Sequence, residues 1–182
     1  MSVISKIFNP QSKILHHLDT VLDYFDGKNV DPISLEIDPS NACNHSCPFC
    51  ISGHIHLKKF KNTEFYDRRL LNQDVLMNLV KDLSKTKIKA VSFTGGGEPT
   101  MNPSLEDAIK YLRDNSKIEI GMFSNGSLLK RFNLFETIVK SLEWIRISID
   151  AGKKKTYDEL RVTNSNNNFD TVLNNIKELI YY

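Results

Sequence analysis

Ala90-Val-Ser-Phe-Thr94 runs directly into Gly95-Gly96-Gly97-Glu98-Pro99, and Asn102-Pro103 follows three residues later. An apolar run with a β-branched and an aromatic residue, closed by glycines, reads as a strand. Asn102 then reads as an N-cap with Pro103 at the first helical position, where its missing N–H costs nothing. Leu105, Ala108, Ile109 and Leu112 continue at helical spacing. Strand, glycine turn and helix make one βα unit.

The same order repeats on both sides. Upstream, Ile33-Ser-Leu-Glu-Ile-Asp38 reads as a strand leading into a loop with three cysteines. Residues 51–69 carry Lys58, Lys59, Lys61, Arg68 and Arg69 without a clean period and read as a long loop. Asn72 or Asp74 then caps a helix with Val75, Leu76, Leu79, Val80 and Leu83 on one face. Downstream, Glu119-Ile-Gly-Met-Phe123 is a third strand closed by Ser124-Asn125-Gly126. Leu134, Phe135, Ile138, Val139 and Leu142 mark a helix. Trp144-Ile-Arg-Ile-Ser-Ile149 is a fourth strand ending at Asp150-Ala151-Gly152. Asp170 caps a last helix with Val172, Leu173, Ile176, Leu179 and Ile180 inward. Strands alternating with helices predict an α/β fold of about four parallel βα units. Before them, Ile14, Leu15, Leu18, Val21, Leu22 and Phe25 recur at helical spacing and Gly27 ends the turn. Residues 1–32 therefore read as a helical extension and 33–182 as the βα array. His16 and His17 read as surface or packing residues.

The bulk properties narrow the function. A net charge of +2 over 182 residues gives no footprint for nucleic acid. Lys153, Lys154 and Lys155 read as a solvated loop. No segment approaches the roughly 18 consecutive apolar residues of a membrane span, and Phe8-Asn9-Pro10 stands where a signal core would lie. The expectation is a cytoplasmic protein with no nucleic-acid or membrane partner. The chain has three cysteines, Cys43, Cys47 and Cys50. An odd, clustered set argues against a disulfide framework and for free thiols in a reducing compartment.

On parallel sheets, catalysis sits at the carboxyl ends of the strands, and each polar motif falls there. The spacing C-x3-C-x2-C offers three thiolates from one loop, suited to three corners of a four-iron cluster whose fourth iron stays open. Thiolates also select zinc, and Cys43, Cys47 and Cys50 with His54 or His56 would make a structural zinc site. A zinc-stabilised binding module without catalysis and a metal-free domain with incidental cysteines both stay open on the residues alone. His45, inside the loop, either meets a cluster sulfur or faces solvent; solvent is the expectation. The glycines let a ligand approach the backbone and leave amides exposed to it. No Gly-Lys-Ser/Thr follows, so this is not a phosphate loop.

The cysteine spacing, with the aromatic Phe49 before the last cysteine, resembles the radical S-adenosylmethionine (SAM) superfamily. The resemblance covers roughly residues 33–182. It implies a partial TIM-like (βα) barrel, four units of a six-unit core, and a 4Fe-4S cluster held by Cys43, Cys47 and Cys50. It implies that Gly96, Gly97, Glu98 and Pro99 receive the SAM amino group, and that Ser124 and Asn125 lie near the SAM. Ser148 and Asp150 would meet the ribose, and Arg161 the carboxylate. A surface ion pair with Asp158 is the alternative for Arg161. The implied reaction is reductive cleavage of SAM to methionine and a 5′-deoxyadenosyl radical, which abstracts hydrogen from a substrate. An electron donor such as a flavodoxin or ferredoxin is the implied partner. Residues 152–180 look most like the branch with C-terminal auxiliary-cluster (SPASM-type) domains, which modifies peptides, proteins or small metabolites. Two βα units of that core are expected to be missing here, as in a chain truncated at its C-terminus, with the edge of strand four left unpaired.

Overall fold

The structure is a computed structural model that describes residues 15–163 and 168–182. Ile14, expected on the first helix, lies outside them. The chain divides into two compact units, Met1–Ile33 and Ser34–Tyr182. In the first, α1 (Leu18–Phe25) is closed by Gly27 at φ 73°, a left-handed position that glycine takes without a Cβ clash.

The second unit holds one parallel sheet in the order β1-β2-β3-β4, formed by β1 (Ser34–Ile37), β2 (Ala90–Phe93), β3 (Glu119–Ser124) and β4 (Trp144–Ile147). Its helices are α2 (Gly53–His56), α3 (Gln73–Leu83), α4 (Leu105–Asn115), α5 (Leu134–Ser141), α6 (Lys154–Leu160) and α7 (Asn168–Tyr181). The register sets Leu35 beside Val91, Val91 beside Ile120 and Met122 beside Ile145. Side chains alternate across a strand, so these residues share one face. They pack there with Leu76, Val80, Leu105, Ile109, Leu112 and Ile138 from α3, α4 and α5. Removing one such fully buried Leu or Ile side chain costs about 2–5 kcal/mol through lost transfer energy and the cavity left behind. The opposite face carries Glu36, Ser92, Gly121, Phe123, Trp144 and Arg146. Trp144 lies across Gly121, where a Cβ would meet its ring at 2.2 Å. A smaller cluster of Tyr157, Phe169 and Val172 joins α6 to α7.

The sheet is open, not closed into a barrel, with β1 and β4 at its edges. Some expectations need correction. The stretch 51–69 is not plain loop: it contains α2 and a 3-10 turn at Lys58–Phe60. The lysine run stands at the start of α6. Val75 and Ile180 are exposed (53% and 73%) because each lies just outside its helix's apolar stripe. Asn72 does cap α3, accepting from Asp74 N. Asn102, however, stands before Ser104, the residue that precedes α4. It is buried, accepts from Ser104 N and donates to the carbonyls of Pro39 and Leu71. It therefore ties the end of β2 to the loop after β1.

Candidate functional site

The cysteine loop is built by backbone contacts with the glycine turn beside it. Gly97 N donates to Ser40 O (2.9 Å) and Glu98 N to Ala42 O (2.8 Å). A Cβ on Gly97 would stand 2.1 Å from Ala42 O, so only glycine lets the two loops meet. These two amides are thus committed inside the protein, against the expectation that they face a ligand. From Cys47 onward the chain winds in successive turns, Cys50 N to Cys47 O, Gly53 N to Cys50 O and Leu57 N to Gly53 O. Arg68 Nη2 donates to Cys43 O at 3.0 Å. On its outer side Cys43 forms part of a second recess with Lys58 and Arg68.

Glu98 is buried and fully engaged. Its Oε1 accepts from Thr100 Oγ1 and Ser124 Oγ, both at 2.7 Å, and Oε2 accepts from Asn125 N at 2.7 Å. Burial pushes the carboxyl up, and these hydrogen bonds oppose that. Ser124 Oγ also accepts from Gly126 N. Asn125 Nδ2 donates to Asn44 Oδ1 (2.8 Å), which links the β3 turn to the cysteine loop. Glu98, Ser124 and Asn125, expected as ligand contacts, also brace three loops against one another here.

These loops enclose a cavity of about 240 Å³ at the carboxyl ends of the strands. Cys43, Cys47, Cys50 and Phe49 line it, as do Gly96, Gly97, Glu98, Pro99, Ser124, Asn125, Ser148 and Arg161. Of the residues expected to hold the cluster or SAM, only Asp150 is not in the wall. It accepts a charge-assisted hydrogen bond from Arg161. Arg161 also donates to Cys47 Sγ at 3.6 Å and lies 5.4 Å from the Phe49 ring centroid. The expected alternative partner, Asp158, pairs with Lys154. Two proposed SAM contacts, Asp150 and Arg161, are therefore each other's partners in this structure.

His45 departs from expectation. It is 1% exposed, and its Nε2 lies 3.1 Å from Asn168 Nδ2, which also donates to the Tyr157 hydroxyl at 3.3 Å. Ser46 N donates to Val162 O, so the chain after α6 braces the cysteine loop. Burial foremost, and the Arg161 charge next, push the His45 pKa down to about 4. Nothing in the spacing of Cys43, Cys47 and Cys50 pointed to Asn168 or Tyr157.

The donor set fits a thiolate-bound cluster. Burial pushes Cys43 up to about 12 and raises Cys47 as well, so these thiols need a bound cation to ionise near neutral pH. Among the described residues, the buried His45 Nδ1 has no hydrogen-bond partner, whereas the Gly96 backbone lies against the His56 ring. His56 Nε2 stands 3.8 Å from Cys50 Sγ, within reach of a hydrogen bond to sulfur. Among the described residues, no three His, Cys, Asp or Glu side chains come together to hold a single ion, as the zinc arrangement requires. One iron per thiolate does not require the three sulfurs to converge on one point.

An α/β sheet with a three-thiolate loop and a glycine turn at its carboxyl edge defines a cluster-binding class of protein. Residues 37–180 match the radical SAM superfamily, and the chain belongs to it. The cofactors of that family are a 4Fe-4S cluster and SAM. The 7,8-dihydro-6-hydroxymethylpterin dimethyltransferase of Methanocaldococcus jannaschii is 30% identical over 126 residues, 69% of this chain and 24% of that protein. A probable GTP 3′,8-cyclase of Saccharolobus solfataricus is 30% identical over 146 residues, 80% of this chain and 43% of that protein. Streptococcus suis SuiB, solved with its precursor peptide SuiA, shares the fold at a TM-score of 0.64 and 20% identity, covering 94% of this chain and 36% of that one. The chain spans less than half the length of these relatives. No helix among the described residues is long and apolar enough to cross a membrane.

Proposed function

We propose that this chain is the cluster- and SAM-binding core of an enzyme that cleaves SAM reductively and abstracts hydrogen from a peptide or small metabolite. The observation that carries this reading is the shared cavity: three cysteines, the glycine turn, Ser148 and Arg161 line one recess at the strand ends. When bound, the reduced cluster would supply one electron and SAM the carbon–sulfur bond that this electron breaks, leaving methionine and a carbon radical able to take a hydrogen atom.

The protein's share is binding, orientation and exclusion of water. Cys43, Cys47 and Cys50 would hold the cluster, and its site free of a protein thiolate would be left to SAM. The backbone of Gly96 approaches the SAM amino group, with Pro99 fixing the end of the turn. Arg161 offers two N–H donors to a carboxylate once released from Asp150, and Ser148 and the freed Asp150 accept from the ribose diol. Glu98, Ser124 and Asn125 keep these loops in register. Phe49, half exposed at the mouth, shields the cluster from water. A flavodoxin or ferredoxin supplies the electron, with the recess formed by Cys43, Lys58 and Arg68 as its approach.

Anaerobic reconstitution tests the proposal. The expected product is a brown protein with about four irons and matching sulfide, whose reduced electron-paramagnetic-resonance signal changes when SAM is added and which releases 5′-deoxyadenosine with dithionite. A colourless protein that retains one zinc would overturn it.

A further inference from the structure

Buried N–H groups without partners are rare in folded proteins, because each costs the full desolvation of a donor. An unmatched one calls for an explanation. His45 presents such a group. Asn168 Nδ2 donates to His45 Nε2 at 3.1 Å and to the Tyr157 hydroxyl at 3.3 Å. An acceptor at Nε2 leaves the ring hydrogen on Nδ1, since a neutral imidazole carries one donor and one acceptor. Among the described residues, the buried His45 Nδ1 has no hydrogen-bond partner. The residue lines the cavity together with Cys43 and Cys47, which flank it in sequence. The loop also turns its backbone toward sulfur, His45 N donating to Cys43 Sγ at 3.4 Å.

We propose that the His45 Nδ1–H donates a hydrogen bond to a sulfur of the bound cluster or its thiolates, and that Asn168 is the positioning residue that fixes this tautomer. The inference rests on the cluster reading of the cysteines. It connects α7, far along the chain, to the electronic state of the metal centre. The partner on the other ring nitrogen of a histidine sets which nitrogen carries the proton, and outer hydrogen bonds of this kind tune metal sites. A hydrogen bond to sulfur stabilises the reduced cluster, which carries more negative charge, and so raises its reduction potential. The Tyr157 hydroxyl, within the buried cluster of α6 and α7, holds the Asn168 amide in turn.

The experiment is a redox titration of the anaerobically reconstituted full chain, followed by electron paramagnetic resonance, with iron and sulfide measured in each sample. His45→Phe keeps the ring volume and loses the donor. Its reduction equilibrium is expected to become about tenfold less favourable, which is a fall of about 59 mV for one electron. His45→Gln restores an N–H donor and is expected to recover at least half of that fall. Asn168→Leu leaves the imidazole in place without its tautomer lock and is expected to lower the potential part of the way. Full iron content with a wild-type potential in both His45→Phe and Asn168→Leu would overturn the proposal while leaving the cluster reading intact. If His45→Phe takes up no iron, Asn168→Leu decides, and an unchanged potential there overturns the proposal. If the wild-type chain itself takes up no iron and sulfide, both readings fall together.

Discussion

Replacing Glu98 by alanine removes the acceptor on which two loops converge. Its carboxylate receives Thr100 Oγ1, Ser124 Oγ and Asn125 N, each at 2.7 Å, and all three residues are buried. Among the described residues the Asn125 amide makes no other hydrogen bond, and Thr100 is fully buried. Each stranded donor costs about 1–3 kcal/mol. Against this stands the relief of a carboxyl whose burial already pushes its pKa up. The net expectation is a loss of about 3 kcal/mol, or roughly 6–12 °C in Tm for a chain of this size. Urea unfolding of the cluster-free chain, monitored by circular dichroism, measures it. Glu98→Gln keeps the shape and one oxygen and turns one acceptor into a donor; rotation of a hydroxyl absorbs part of the mismatch, so a loss of about 1–2 kcal/mol is expected. The strut reasoning fails if Glu98→Ala unfolds within 1 kcal/mol of wild type yet no longer binds SAM. That pattern would belong to a group that touches the ligand and holds nothing else.

Gly97→Ala puts a Cβ 2.1 Å from Ala42 O, so the two loops must part. The expected result is a loss of about 2 kcal/mol with little iron taken up, read by melting and by iron analysis. Gly96→Ala meets Asn41 Oδ1 and Ile55 Cδ1 at 3.2 Å, side-chain ends that shift more readily than backbone, and should lose much less stability and still take up iron. Stability should also fall at high pH through Tyr157, whose pKa burial pushes up to about 12. The unfolded chain ionises this phenol first, near pH 10. The stability is therefore fully present below pH 10 and lost as pH rises toward 12, by about 3 kcal/mol in all. The difference in unfolding free energy between wild type and Tyr157→Phe, measured across that range, isolates it; a difference that does not change with pH would refute it.

The sequence by itself determined the order of the four strands and of the longer helices between them, though not α2 or α6, and the place of each polar motif at a strand end. Periodicity and turn chemistry are local, and four βα units repeat them. It also determined the three-thiolate loop, because ligand spacing within eight residues is read directly from the chain. Only the tertiary structure decided what the polar side chains bind. Glu98 meets Ser124 and Asn125 at separations of 26 and 27 residues, and His45 meets Asn168 across 123. No local spacing encodes such pairs, so the chain alone does not show that residues expected at the ligand also brace the loops. Asp150 and Arg161, expected to face different parts of one ligand, face each other because the turn after β4 brings the end of α6 back to it. His45 left the solvent for the same reason: the start of α7 supplies an amide where the loop alone offered only water.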